Sequence, residues 1–273
     1  MRDHRSGGEA FFFVRDAAGS RPAPPPAAAA APWRLWEAVT VVVLFVASQV
    51  GLVLLVAGSL SLGGWSGGVR ARADTLLALA LPIAVFGSHA VGWAAALGLV
   101  SWRHGRPFAA ALALGPYPAG RLLRPFAAGV GMQAAVLAAM LLLPPPADYE
   151  GTLERFFQLG LWARLLLVLM AGVMAPLLEE VLFRGLLLTA FRRRLGFVPA
   201  ALAVTVLFTG LHVTQTGPYP PALGGIFLCG YALAWLRERH GSLWPPIVFH
   251  LGFNLAALLP LLLLGGAGAV PPP

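Results

Sequence analysis

Lysine is absent from this 273-residue chain; all 19 basic side chains are arginine, and only 11 residues are acidic. Charged residues make up 11% of the sequence against 58% hydrophobic, with a mean hydropathy of +0.78. That balance excludes a soluble globular domain of ordinary composition. Cysteine is almost missing as well. Cys229 stands alone, which excludes an internal disulfide and a cysteine metal cluster, and inside an apolar run it reads as a packing residue. The N-terminus lacks the early apolar core of a signal peptide. Residues 1–36 instead pass from charges into Pro22-Ala23-Pro24-Pro25-Pro26 and an alanine run, which predicts a disordered Ala/Pro-rich tail. The net charge of +8 is not gathered on a basic face or interleaved with aromatics, so nucleic acid is excluded as a partner. No internal repeat is present.

Long apolar runs dominate what is there. They lie at about 38–62, 75–101, 126–143, 163–191, 198–214, 220–236 and 245–264, and each is long enough to cross a bilayer as a helix. The predicted fold is all-α, a polytopic transmembrane helix bundle of about seven spans in contact with the lipid bilayer. Four regions follow: the tail 1–36, three N-terminal helices with their loops over 37–162, a four-helix core over 163–265, and a C-terminal tail 266–273. Pro144-Pro145-Pro146 closes the third span. The acidic loop after it, with Asp148, Glu150 and Glu154, leads into Phe156, Phe157 and Trp162, a composition suited to the membrane interface. Gly196 is placed as a helix C-cap, and Pro199 sits near the first turn of the next helix.

Arginine sets the orientation. Counting the tail, the loop with Arg103, Arg106, Arg121 and Arg124, the run Arg192-Arg193-Arg194, and Arg237 with Arg239, fourteen fall on one side. Arg70, Arg72, Arg155 and Arg164 fall on the other. The asymmetry puts the N-terminus in the cytoplasm and the C-terminus outside, and the expected location is a prokaryotic cell membrane.

Within the fourth run, Glu179-Glu180-Val181-Leu182-Phe183-Arg184 places three ionisable groups where each costs about 2.5–3.5 kcal/mol on insertion scales. A structural pair would need one carboxylate, and there are two. At about 100° per residue Glu180 shares a face with Arg184, whereas Glu179 points about 140° away. Glu180 is therefore the expected partner of Arg184. Glu179 is left to take a proton from water. Pro176, one turn earlier, lacks an N–H and should kink the helix and free a backbone carbonyl, that of Gly172, for water.

Two later spans carry polar residues at a spacing of four: Phe208 with His212, and His250 with Asn254. Each pair lies on one helix face. At 1.5 Å per residue, Glu179, His212 and Asn254 sit about 15–20 Å from the cytoplasmic ends of their helices and His250 about 9 Å, so the three stations can converge. Spans one and six offer no polar partner of this kind. His89, with no second polar residue one turn away, reads as a helix-packing histidine.

On E-E-x-x-x-R at Glu179, Glu180 and Arg184, F-x-x-x-H at Phe208 and His212, and H-x-x-x-N at His250 and Asn254, the sequence resembles the CAAX protease and bacteriocin-processing family. That group is also called the abortive-infection family and includes the Ras-converting CAAX endopeptidases. The resemblance covers roughly residues 163–260. It implies a glutamate-dependent intramembrane endopeptidase in which Glu179 and His212 activate water, His250 and Asn254 stabilise the oxyanion, and Arg184 is structural or electrostatic. The implied substrate is a membrane protein or peptide, with a lipidated C-terminus or a leader peptide as the two classes. The family is often classed as metalloprotease, and Glu179, His212 and His250 would be the ligand set if zinc were used. The chain nevertheless lacks an H-E-x-x-H helix, and the Asn254 amide is a poor zinc ligand but a good N–H donor. No required cofactor is expected.

Three rivals make different demands. A non-proteolytic scaffold of the same family would predict a missing motif residue, and none is missing. A proton-coupled transporter would call for discontinuous helices or a repeat between halves. A haem protein using His212 and His250 would leave Glu179 and Glu180 without a role.

Overall fold

The computed structural model describes residues 32–62, 81–145 and 161–264. Most of the expected tail, the acidic interfacial loop and the C-terminal tail lie outside those residues. Among the described residues the structure is helical with no strand, and the chain is an integral membrane protein.

Helix α1, Leu35–Leu62, begins inside the stretch read as tail. Its first turn is closed by the Glu37 carboxylate, which accepts the Arg34 N–H at 2.7 Å in the manner of a capping box. Helix α2, Leu81–Leu97, continues through a π-helical segment, Gly98–Arg103. Two short turns, Phe108–Ala111 and Ala119–Arg121, lead into α3, Leu123–Leu142. The next helix, α4, runs over 161–195. It is α-helical at Leu161–Leu169, Ala175–Glu179 and Leu188–Leu195, and π-helical at Met170–Met174 and Glu180–Leu187. Helix α5 is Phe197–Thr216, α6 is Pro220–His240 and α7 is Trp244–Leu264.

Glycines end α4 and α6, the first of them where the sequence places it. Gly196, at φ 76°, sends its N–H to Arg192 O, and Gly241, at φ 62°, sends its own to Arg237 O. A residue with a Cβ would resist both backbones. Pro199 is the third residue of α5, where its missing N–H is unpaired in any helix.

Five helical stretches are long and apolar enough to cross a membrane: Leu35–Ser59, Pro82–Arg103, Ala119–Leu142, Arg164–Leu195 and Phe197–Thr216. Helix α7 contributes a shorter apolar piece, Trp244–Leu259. Helices α1 to α7 thus coincide with the seven apolar runs, but five rather than seven reach spanning length and apolarity. The shortfall has a physical cause. Helix α6 ends in Arg237-Glu238-Arg239 and buries Gly225, Cys229, Gly230, Leu233 and Ala234 against its neighbours, so little of it has to match lipid.

Large apolar side chains such as Val43, Leu54, Leu141, Val206 and Leu228 face outward. Lipid tails are as apolar as leucine, so burial of these groups does not drive the helices together; close backbone approach does. The tightest instance joins α3 and α7. A Cβ on Gly129 would sit 2.1 Å from Phe249 O, and one on Gly252 would sit 2.4 Å from Phe126 O. Helix α4 occupies the centre. Every residue from Glu180 to Leu188 is buried, packed among Val41 and Phe45 of α1, Val100 of α2, Val204 and Phe208 of α5 and Ile247 of α7.

The arginine-bearing segments meet at one end of the bundle. Arg103 Nε donates to Glu37 Oε1 at 2.6 Å, Arg193 Nη1 to Trp33 O at 3.3 Å, and Arg192 Nε to Glu238 Oε2 at 2.7 Å. Trp33 itself is buried and donates its indole N–H to Leu186 O at 3.1 Å, which fixes the entry to α1 against α4.

Candidate active site

The two acids are separated as helix geometry requires. Glu180 Oε1 accepts Arg184 Nη1 at 2.9 Å, and both side chains are fully buried. The same oxygen accepts the Nδ1–H of His250 at 2.9 Å, bringing α7 onto α4. Arg184 extends further than its local partner. Its Nη2 donates to Gly230 O at 2.9 Å on α6, a helix in which the sequence shows no polar side chain at this depth. Glycine matters there. The space where a Cβ would stand is 3.2–3.6 Å from Thr205, Phe208 and Arg184, so a larger residue would press on the guanidinium. The positive charge is also spread over aromatic faces, with the Arg184 carbon 4.6 Å from the Phe208 ring centre and 5.9 Å from that of Phe183.

Glu179 points elsewhere. Its Oε2 lies 3.8 Å from His250 Nε2, too far for a hydrogen bond, and its side chain is 15% exposed where that of Glu180 is closed off. His250 therefore stands between the two acids, Nδ1 on one and Nε2 toward the other.

Phe208 links the histidine of α5 to this cluster. Its ring centre is 4.5 Å from His212, 5.8 Å from His250 and 5.2 Å from Phe183. His212 places Nδ1 2.8 Å from Phe208 O. A carbonyl can only accept, so Nδ1 carries the proton and the Nε2 lone pair is left for another partner.

Asn254 reaches the site by a route the sequence does not show. Its Nδ2 donates to Ala171 O at 2.7 Å. The sequence predicts that Pro176 orphans the carbonyl four residues back, Gly172, for water. The π-helical register of Met170–Met174 changes that. With i→i+5 pairing the carbonyl facing the prolyl nitrogen is that of Ala171, and Asn254 rather than water meets it.

Glu179, Glu180, Arg184 and His250 are thus in direct contact, His212 joins them through Phe208, and Asn254 is pinned to the π-turn one residue-step from Gly172. Among the described residues, no three His, Cys, Asp or Glu side chains converge closely enough to hold a metal ion. Glu179, His212 and His250 are not assembled as a ligand set. Gly230 and the Ala171 carbonyl are members that composition and spacing leave out. Phe208 carried a signal, its spacing of four from His212.

Residues 161–256 match the family described as Type II CAAX prenyl endopeptidase Rce1-like. A protein of Escherichia coli named "Uncharacterized 24.3 kDa protein" is 33% identical over 97 residues, covering 35% of this chain and 44% of that protein. The chain therefore spans less than half of that relative's length. No solved structure matches. The matched stretch begins at the first residue of α4 and closes two residues past Asn254, so the helices that build the acid, histidine and asparagine cluster are the ones similar to the Rce1-like CAAX prenyl endopeptidase family.

Proposed function

We propose that this chain is an intramembrane endopeptidase that hydrolyses a peptide bond within the membrane or at its cytoplasmic side. The observation that carries the reading is the contrast between adjacent acids. Glu180 spends Oε1 on Arg184 and His250, whereas Glu179 keeps acceptor capacity and partial exposure. A general base needs that combination of a free lone pair and access to water.

Glu179 takes a proton from water as the water oxygen bonds to the peptide carbonyl carbon; the C–N bond then breaks and the proton passes to the leaving nitrogen. His212, with Nδ1–H held by Phe208 O, offers Nε2 as a second acceptor for the same water. The oxyanion has two donors within the set. One is the second N–H of Asn254, its first being held by Ala171 O, and the other is the imidazole of His250, which stands between the two acids. Arg184 holds Glu180 Oε1 in place, and that oxygen orients His250.

The substrate is a membrane-anchored protein, with a prenylated C-terminus as the class suggested by the matched family's description and a leader peptide as the second. The N-terminus is cytoplasmic, the C-terminus is outside, and α1 to α7 all cross. The site works without tightly held zinc, a reading that rests on the Asn254 amide, a poor zinc ligand but a good N–H donor.

Membrane peptides and protein C-termini compared between cells carrying the parent chain and cells carrying Glu179→Gln test the reading. Cleavage products present with the parent and missing with the folded variant are expected; identical products in both overturn it. Elemental analysis joined to exhaustive chelation tests the metal clause, which fails if zinc is stoichiometric and activity is lost on chelation and restored by zinc.

A further inference from the structure

Thr205 of α5 belongs to none of the three motifs, and its hydroxyl departs from the habit of others in this chain. Thr40, Ser59, Thr189 and Thr216 each donate back to the carbonyl four residues earlier, at 2.8, 2.9, 2.6 and 3.2 Å, the ordinary resting place of a hydroxyl in an apolar helix. Thr205 is fully buried, and its Oγ1 makes no such bond to Ala201 O or to any other protein group. Thr209 Oγ1, one turn further along the same face, is buried and unbonded as well. Two more orphans lie beside Thr205. Arg184 places Nη1 on Glu180 Oε1 and Nη2 on Gly230 O, yet its buried Nε–H has no acceptor, and the buried Oε2 of Glu180 has no protein donor. Nε and Oε2 are the next polar atoms along their groups from the 2.9 Å contact of Nη1 with Oε1, so both sit at its edge. Thr205 reaches the same place. A Cβ on Gly230 would stand 3.2 Å from Thr205 Cγ2 and 3.6 Å from Arg184 Nη2, so the threonine and the guanidinium flank one glycine. The Phe208 ring, centred 4.6 Å from the Arg184 carbon, closes another side.

We propose that this junction of α4, α5 and α6 is a binding site for one internal water molecule, which accepts the Arg184 Nε–H and donates to Glu180 Oε2 and Thr205 Oγ1. The chemistry of the three orphans selects water. An N–H donor, a carboxyl oxygen and a hydroxyl together call for a small neutral group that both accepts and donates, and buried waters typically make about three bonds of this kind to groups otherwise unsatisfied. A metal cation would meet the Arg184 guanidinium, and an anion would meet the bare acceptor oxygens. The role of the water follows from Oε1, which carries both Arg184 and His250. A carboxyl group held through one oxygen can swing about that point. A bond at Oε2 stops the swing and keeps His250 aimed between the two acids. This water is distinct from the one hydrolysed onto the peptide, and its site stands whichever residue takes the proton from that other water.

Thr205→Val in the full chain, unfolded reversibly in mixed detergent, tests the site by the sign of its effect. The substitution keeps the branched shape over Gly230 and removes only the hydroxyl. An idle buried hydroxyl is a burden where it stands, so exchanging it for a methyl would leave the fold unchanged or stabilise it. A hydroxyl that anchors the water gives the opposite sign, and the unfolding equilibrium constant should rise about tenfold, the scale of one hydrogen bond. Crystals of the parent grown from a lipid phase, at a resolution that shows waters, give the direct reading. Density for a water within hydrogen-bond distance of Arg184 Nε, Glu180 Oε2 and Thr205 Oγ1 is expected, and it should be lost in Thr205→Val. A Thr205→Val protein as stable as the parent or more so overturns the proposal. So does parent density in which Thr205 Oγ1 turns back onto Ala201 O and no water meets Arg184 Nε. If Thr205→Val does not insert, the parent density alone decides.

Discussion

His250 donates its Nδ1–H to Glu180 Oε1 at 2.9 Å across seventy positions of sequence, and Arg184 donates to the same oxygen at the same distance. One oxygen thus fixes both the local ion pair and the seating of α7 on α4. The second oxygen, Oε2, is buried and has no protein partner. All of Glu180's side-chain hydrogen bonds to protein groups pass through Oε1, and Asn254 Nδ2 to Ala171 O is a second link between α7 and α4.

Replacing Glu180 by Gln should therefore destabilise the fold. Arg184 is fully buried, and removing the charge that compensates it costs about 3–5 kcal/mol when a pair is desolvated. Reversible unfolding in mixed detergent measures this. Adding Arg184→Met to Glu180→Gln should recover much of the loss, since no charge is then stranded. A Glu180→Gln protein as stable as the parent would show that Gly230 O and Phe208 suffice for Arg184.

Asn254 and Pro176 should prove coupled although neither touches the other's side chain. Asn254→Ala strands Ala171 O, at a cost of about 1–3 kcal/mol. Pro176→Ala returns an N–H to the helix where that carbonyl can find it, so Asn254→Ala should cost less in that background. A double-mutant cycle on unfolding free energy is expected to give a coupling of about 0.5–3 kcal/mol. Additive effects would mean that Ala171 O relaxes onto some other donor.

Gly129→Ala should loosen the bundle, because its methyl would overlap Phe249 O at the α3–α7 contact. Overpacking of this kind costs about 1–3 kcal/mol, and the backbone here cannot rotate out of the way as a side chain could. Gly131→Ala, two positions along the same helix with nothing within 4 Å of the new methyl, is the matched control and should be neutral. Similar loss in both would place the effect in helix propensity or insertion rather than in packing.

Topology is open to a direct measurement. A reporter active only in the cytoplasm should be silent when fused after Pro273 and active when fused between Arg192 and Gly196. Strong signal after Pro273 would mean that α6 or α7 does not cross, the two helices that fall short of spanning length and apolarity.

Composition was enough to predict helices in a membrane, because a backbone in lipid must satisfy its own hydrogen bonds and a chain with 11% charge has little else to do. The pairing of Glu180 with Arg184 was equally legible, since it is local and follows from the turn of one helix. What sequence spacing could not convey was anything set by π-helical register or by backbone atoms. Ala171 O displaced Gly172 O as the orphan of Pro176, and α6, apparently without polar function, supplied Gly230 O. A carbonyl is present in every residue and leaves no mark in the sequence, so only the approach of a second helix decides which one matters. The sequence by itself determined the fold class and the inventory of ionisable groups, through hydropathy and one-helix geometry. The tertiary structure alone decided which of those groups has a free lone pair, because that depends on donors and acceptors delivered by helices far apart in the chain.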